Sequence, residues 1–128
     1  TGIEELIDAV SSPREGLPGG AFMFVEPTRA LVAVDVNTGG DTSQAAGLKA
    51  NIEALRGLPR ALRLRGLGGQ VVIDAAPLAK RDRKQIESIA NAAFRADAIE
   101  TSLVGWTPLG HLEINRKRER LPLSECLK

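Results

Sequence analysis

Apolar residues recur at positions 3, 6, 7 and 10 of "IEELIDAV", the spacing of a helix with one buried face. "SSPREGLPGG" follows, and Pro13, Pro18 and the closing pair Gly19 and Gly20 break the pattern. The period then changes. "AFMFVEP" (21–27) is short, apolar and ended by proline. "RALVAVDVN" (29–37) is rich in valine and close enough to pair with it as a hairpin. In "TGGDTSQAAGLKANIEALRGL" two glycines turn the chain. Asp41, Thr42 or Ser43 can cap a helix carrying Leu48, Ile52 and Leu55 on its apolar side. Pro59 is expected to interrupt that helix, a further turn or two to follow, and Gly68 and Gly69 to stop it. "QVVID" (70–74) reads as a strand too apolar to face water on either side. "KRDRKQIESIANAAFRADA" is an amphipathic helix with Ile86, Ile89, Ala90, Ala93 and Phe94 on one face. "IETSLVGW" and "GHLEINRKR" close the chain as a strand pair around the turn "TPLG".

Strand pair, helix, strand, helix, strand pair predicts one α/β domain, a mixed sheet with packed helices. No repeat, low-complexity tract or linker divides residues 1–128. That length suits one domain with a hydrophobic core. With 43% hydrophobic and 26% charged residues, the composition is that of a globular domain. No apolar run is long enough to span a membrane, and no signal peptide is visible. A single cysteine, Cys126, excludes an internal disulfide framework and fits a reducing, cytoplasmic setting. Starting at Thr1 without an initiator Met, the chain is expected to be processed or a piece of a longer one.

Charge gives no overall steer towards nucleic acid: 17 basic residues face 16 acidic ones, a net +1. The basic residues do cluster, in "RALRLRGLGG" and "NRKRER". Arg63 and Arg65 can face RNA phosphate or form the polar side of a helix end. Arg116, Lys117 and Arg118 alternate along a strand, so only some of them can share one track. Three Phe, one Trp and no Tyr offer little for an aromatic base-stacking platform. Trp106 reads as packing near a turn.

The chemistry concentrates at two aspartates. Asp35 and Asp74 each end an apolar strand and each precede loop residues, "VNTGG" and "AAPL". If the two strands are parallel neighbours joined by a crossing helix, both carboxylates emerge at the same edge, where ligands of such sheets bind. Two close carboxylates repel and resist ionisation beside a core, and a divalent cation relieves both problems. Asn37 lies two residues on, on the same side of the strand, and can donate to a phosphate oxygen. The competing reading is structural: a strand-end aspartate often caps a helix or accepts from loop amides. His111, the single histidine, reads as a structural or surface residue, because nothing suggests a nucleophile beside it.

"VAVDVNTG", "LKANIEA", "RALRLRGLGGQVVID" and "GHLEINRKR", in that order, resemble the catalytic core of the ribonuclease E/G family over roughly residues 17–120. The resemblance implies the deoxyribonuclease-I-like subdomain of a larger endoribonuclease. It places Asp35 and Asp74 on the family's two Mg²⁺-binding aspartates, with Mn²⁺ as a substitute, and Asn37 on the asparagine that positions the scissile phosphate. It implies hydrolysis of single-stranded RNA to 5′-phosphate and 3′-hydroxyl ends by a metal-activated water, and a part in homodimer formation. A small-molecule ligand is not implied.

The departures are specific. Pro77 stands where relatives commonly carry a further aspartate, and the loop after Asn37 is short. Cys126 alone cannot supply the family's Cys-Pro-x-Cys zinc link, short of sharing between subunits. The length has no room for the S1-type, 5′-end-sensing and ribonuclease-H-like parts. Two other readings therefore stand beside the nuclease: an RNA-binding or dimerisation module needing those parts for activity, and a small-molecule phosphatase built on the same aspartates.

Overall fold

The computed structural model describes residues 12–118. The helix expected over residues 3–10 and Cys126 lie outside the described residues. Six strands form one mixed sheet: β1 (Arg14–Gly16), β2 (Phe22–Pro27), β3 (Val32–Asn37), β4 (Gly69–Asp74), β5 (Thr101–Trp106) and β6 (Leu112–Arg116). Their spatial order is β1-β2-β3-β4-β6-β5. The β2–β3 hairpin closes through Thr28, whose Oγ1 donates to the Leu31 carbonyl and accepts from the Leu31 N–H. The β3–β4 pair is parallel and every other pair is antiparallel. Strand β1 was not evident in the pattern because three residues between prolines carry no readable period.

Helix α1 (Gln44–Arg65) connects β3 to β4, and α2 (Arg83–Arg95) connects β4 to β5. Both crossovers advance across the sheet in the same direction, so one handedness puts both helices on one side. Val32, Val34, Val36, Val71, Ile73, Leu112 and Ile114 point to that side. There they meet Leu55, Leu58 and Leu62 of α1 and Ile86 and Phe94 of α2 in one core. The opposite face has no helix over it among the described residues. Gln70 and Asp74 are exposed there and Val72 is half-buried. This corrects the expectation that β4 is covered on both sides: its short apolar run (71–73) has two residues facing the helices and only Val72 facing out.

Two expectations about α1 also change. Ser43 is the N-cap, its side chain accepting from the Ala46 N–H. The Asp41 carboxylate accepts from the Ser43 N–H, and that backbone bond, with a second from the Ser43 side chain, holds the carboxyl below its ordinary value. Pro59 does not interrupt the helix, which runs on to Arg65. An internal proline costs about 3 kcal/mol. The apolar stripe continues beyond it, however, and Leu58 and Leu62 are fully buried, a gain of about 1.5–3 kcal/mol for each side chain of that size. The stop is Gly66 rather than Gly68 or Gly69. Its φ of 65° lets its N–H turn back to the Leu62 and Arg63 carbonyls.

Candidate metal and phosphate site on the open sheet face

Asp35 and Asp74 are direct partners in the parallel β3–β4 register. Both are exposed on the uncovered face, because alternation sends Val34, Val36 and Ile73 into the core. Neighbouring strands lie about 4.8 Å apart, so the two carboxylates arise from adjacent backbone positions. Asn37, half-buried, shares the same face. The aspartates therefore stand on the sheet surface near the strand ends, not in the crevice beyond them. A cleft of about 320 Å³ past those ends is lined by Thr38, Ser43, Gly47 and Pro77 among others, without either aspartate.

The loop after Asp74 is held from beneath. Asn51, fully buried on α1, donates from Nδ2 to the Ala76 carbonyl (3.0 Å), and its Oδ1 accepts from the Ala76 N–H (2.8 Å). One turn earlier, Gly47 lets the Pro77 carbonyl approach so closely that a Cβ would lie 2.8 Å from the oxygen. Asn51 and Gly47 thus fix the exit of β4 and with it the base of the Asp74 side chain. The sequence reading missed both. An asparagine on the apolar side of a helix was the available signal, since a buried amide must find partners. Asn51→Ala should destabilise the domain by about 1–3 kcal/mol by leaving the Ala76 amide groups unpaired, read as a lowered urea midpoint.

His111 Nε2 lies 3.7 Å from Asp74 Oδ1, its side chain 35% exposed. The histidine is a surface residue, as expected, yet the turn before β6 brings it beside one of the two aspartates. Thr107 shapes that turn, its Oγ1 accepting from the His111 N–H and its own N–H donating to the His111 carbonyl. Among the described residues no three His, Cys, Asp or Glu side chains converge closely enough to hold a metal by themselves. Two carboxylates side by side nevertheless suit Mg²⁺, which takes one or two protein carboxylates and fills its octahedron with water and phosphate oxygen.

The basic residues are placed elsewhere. Arg65 and Arg116 are correctly assigned to their elements but do not face solvent. Arg65 donates to the Ala61 and Ser12 carbonyls and the Glu15 carboxylate. Arg116 is fully buried and pairs with Asp97 at 2.7 Å. This corrects their assignment as RNA contacts. In β6, Leu112, Ile114 and Arg116 alternate onto the helix side, and only a buried carboxylate makes that place tolerable for an arginine. Arg63 is half-exposed and bonds Asp97 from the other side at 2.8 Å. Lys117 and Arg118 are exposed just past β6, and Arg118 and Arg63 line a shallow cavity of about 220 Å³ by the end of α1. These residues gather where β4 begins, at the opposite end of the strand from Asp74. Trp106 packs as expected, with its indole N–H donating to Glu87 and Arg83 stacked over its ring.

Adjacent exposed carboxylates with an amide beside them, on the open face of a two-layer α/β domain, define a class of site suited to a hard cation and a phosphoryl oxygen. The chain matches the Ribonuclease E/G family model over residues 1–119. It is 37% identical over 122 residues to a Ribonuclease E of Nostoc sp. (strain PCC 7120), covering 91% of this chain and 18% of that relative. It is 32% identical over 130 residues to a Ribonuclease G of Salmonella typhimurium, covering 98% of this chain and 27% of the relative. A Ribonuclease G of Escherichia coli K12 is 31% identical over the same length, with the same coverage. The chain belongs to the ribonuclease E/G family. It spans between 18% and 27% of the length of these relatives. Among the described residues, no helix is long and apolar enough to cross a membrane.

Proposed function

We propose that this chain is the catalytic subdomain of a divalent-metal-dependent endoribonuclease. It would hydrolyse single-stranded RNA to 5′-phosphate and 3′-hydroxyl ends, with Asp35 and Asp74 holding Mg²⁺ or Mn²⁺. The observation that carries the reading is the direct pairing of the two aspartates in one parallel register, on a face open to substrate. Family membership supplies the substrate class. When bound, the metal lowers the pKa of a coordinated water and offsets negative charge on a phosphate under attack. Asp35 and Asp74 provide the oxygen ligands. Asn37, one alternation beyond Asp35, donates its amide N–H to a non-bridging phosphate oxygen and orients it without competing for the metal. Asn51 keeps the Asp74 loop from drifting.

A second reading is favoured by one observation: Arg65 and Arg116 are buried, and Arg63, Lys117 and Arg118 lie at the far end of β4, so none of the five expected cations stands near the aspartates. On that reading the domain holds metal but depends on other parts of its protein to hold RNA, since phosphate affinity requires clustered cations. One experiment separates the two. Labelled single-stranded RNA is incubated with the chain in Mg²⁺ and in EDTA, while Mn²⁺ binding is followed by electron paramagnetic resonance. Mg²⁺-dependent cleavage with 5′-phosphate ends supports the nuclease. Mn²⁺ binding without cleavage supports the dependent subdomain. Absence of Mn²⁺ binding overturns the metal centre and leaves the aspartates a structural role.

A further inference from the structure

Two of the three phenylalanines lie outside the core. Phe22 and Phe24 are half-buried on the open face of β2, and Phe94 alone is a core residue. Their register partners are informative: Phe22 is opposite Asn37, and Phe24 is opposite Asp35. Directly opposed residues share a face, so both side chains arise one strand spacing, about 4.8 Å between backbones, from the residues of the proposed site. The rings meet edge to face, with centroids 5.6 Å apart and planes at 87°. Arg14, from β1, lays its guanidinium over Phe22, 4.1 Å from the ring centroid. On the same face of β3 and β4 the neighbours are Ala33, Asp35, Asn37, Gln70, Val72 and Asp74, so apart from Ala33 and the half-buried Val72 the aromatic pair stands among polar residues.

Hairpin packing alone would be served by any β-branched residue at these positions. An aromatic pair with an arginine stacked on it supplies what a single nucleotide needs: a π-face for its base and a cation for its phosphate. We infer that Phe22, Phe24 and Arg14 form a nucleotide subsite that stacks the base of one residue flanking the scissile phosphate. This inference rests on the proposed nuclease reading, because the flanking position is defined by Asp35 and Asn37. The strand bound there runs across the sheet from Asp74 towards β1. Its reacting phosphate lies at Asp35 and Asn37, the adjoining base on Phe24, and the next phosphate within reach of Arg14. Because the rings offer no hydrogen-bonding edge, the subsite is indifferent to base identity and favours single strands, whose bases are free to unstack.

The test measures binding of a short labelled single-stranded RNA by fluorescence anisotropy, with Ca²⁺ in place of Mg²⁺ to slow hydrolysis. The same RNA carrying one abasic nucleotide, moved position by position past the cleavage point, is measured alongside. For the wild type, the abasic nucleotide at one flanking position should weaken binding about 5-fold or more, the lower end of what base–aromatic stacking contributes. Phe24→Leu should bind the intact RNA as weakly as the wild type binds that abasic RNA, and should lose nothing further with the abasic RNA. Phe24→Tyr, which keeps the ring, should bind as the wild type does. Equal losses by Phe24→Leu on intact and abasic RNA would mean a structural role only and overturn the subsite. Unchanged affinity in Phe24→Leu, or no RNA binding by the wild type at low salt, would overturn it too. Mn²⁺ binding by the same proteins reports the metal site separately. It should be equal in Phe24→Leu and wild type, and its absence from the wild type would count against the nuclease reading without touching the stacking coupling.

Discussion

Asp74→Asn is expected to weaken Mn²⁺ binding and slow any metal-dependent cleavage severely while leaving the fold intact. The substitution keeps the side chain's shape and removes a charged oxygen ligand. Altering groups that only orient a metal ligand costs 10- to 100-fold in affinity, so losing one of two ligands should cost about 100-fold or more. Metal-ion stabilisation of a developing phosphoryl charge is worth several kcal/mol. At 1.36 kcal/mol per factor of ten, that predicts a rate lowered on the order of 10³-fold. The fold should not suffer, since the Asp74 side chain is 65% exposed and exposed substitutions usually change stability by less than about 0.5 kcal/mol. Isothermal titration with Mn²⁺, RNA cleavage and urea unfolding on one preparation give all three readouts. Wild-type metal affinity in both Asp35→Asn and Asp74→Asn would sink the metal assignment.

The second large effect is expected at Asp97, far from the aspartate pair. Its carboxylate bonds Arg116 at 2.7 Å and Arg63 at 2.8 Å, with 1% of its side chain exposed. Arg116 is fully buried, and its Nε and Nη2 have no partner among the described residues. Asp97→Asn would therefore leave a buried guanidinium without its counter-charge. Breaking a buried pair from one side costs about 3–5 kcal/mol, a large share of a domain's total stability. Changing Arg116→Met in the same protein should restore much of that loss, because the unpaired charge goes too.

The pH dependence follows from the same pair. Burial pushes the Asp97 carboxyl up, but bonding to Arg116, its charge, and the bond from Arg63 outweigh burial and hold the carboxyl below its ordinary value. A carboxyl depressed in the folded state contributes stability that is fully present above the unfolded value, about 3.9, and is lost as pH falls through the lower folded value. The gap in urea midpoint between wild type and Asp97→Asn should therefore be constant through neutral pH and close below about pH 4. A gap that persists unchanged into strong acid would show that packing, not charge, is what the substitution disturbs.

The basic clusters show where local reading stops. Alternation along β6 correctly divides Arg116 from its neighbours between two faces. That alternation puts Arg116 in phase with the apolar Leu112 and Ile114, but a charge there reads as misplaced until its partner Asp97, nineteen residues earlier, is brought against it. Arg65 is similar: it reads as a cation at a helix end, and its partners Ser12 and Glu15 come from 53 and 50 residues earlier, just before and within β1. Pro59 shows the opposite balance, a strong local breaker overruled by burial on either side of it.

From β2 onward, the order of strands and helices, the hairpin, both amphipathic faces and the placement of Asp35 and Asp74 at strand ends were determined by the sequence alone. Periods of 2 and 3.6 and the caps that bound them are properties of neighbouring residues. Tertiary structure alone decided that the two aspartates are register partners on an open face. It also set His111 beside Asp74, made Asn51 the clamp of the loop that follows, and left Phe22 and Phe24 out of the core. Each depends on which segment pairs with which, and in what register. That choice is made by packing between residues far apart in the chain, where a one-residue slip would reverse every face.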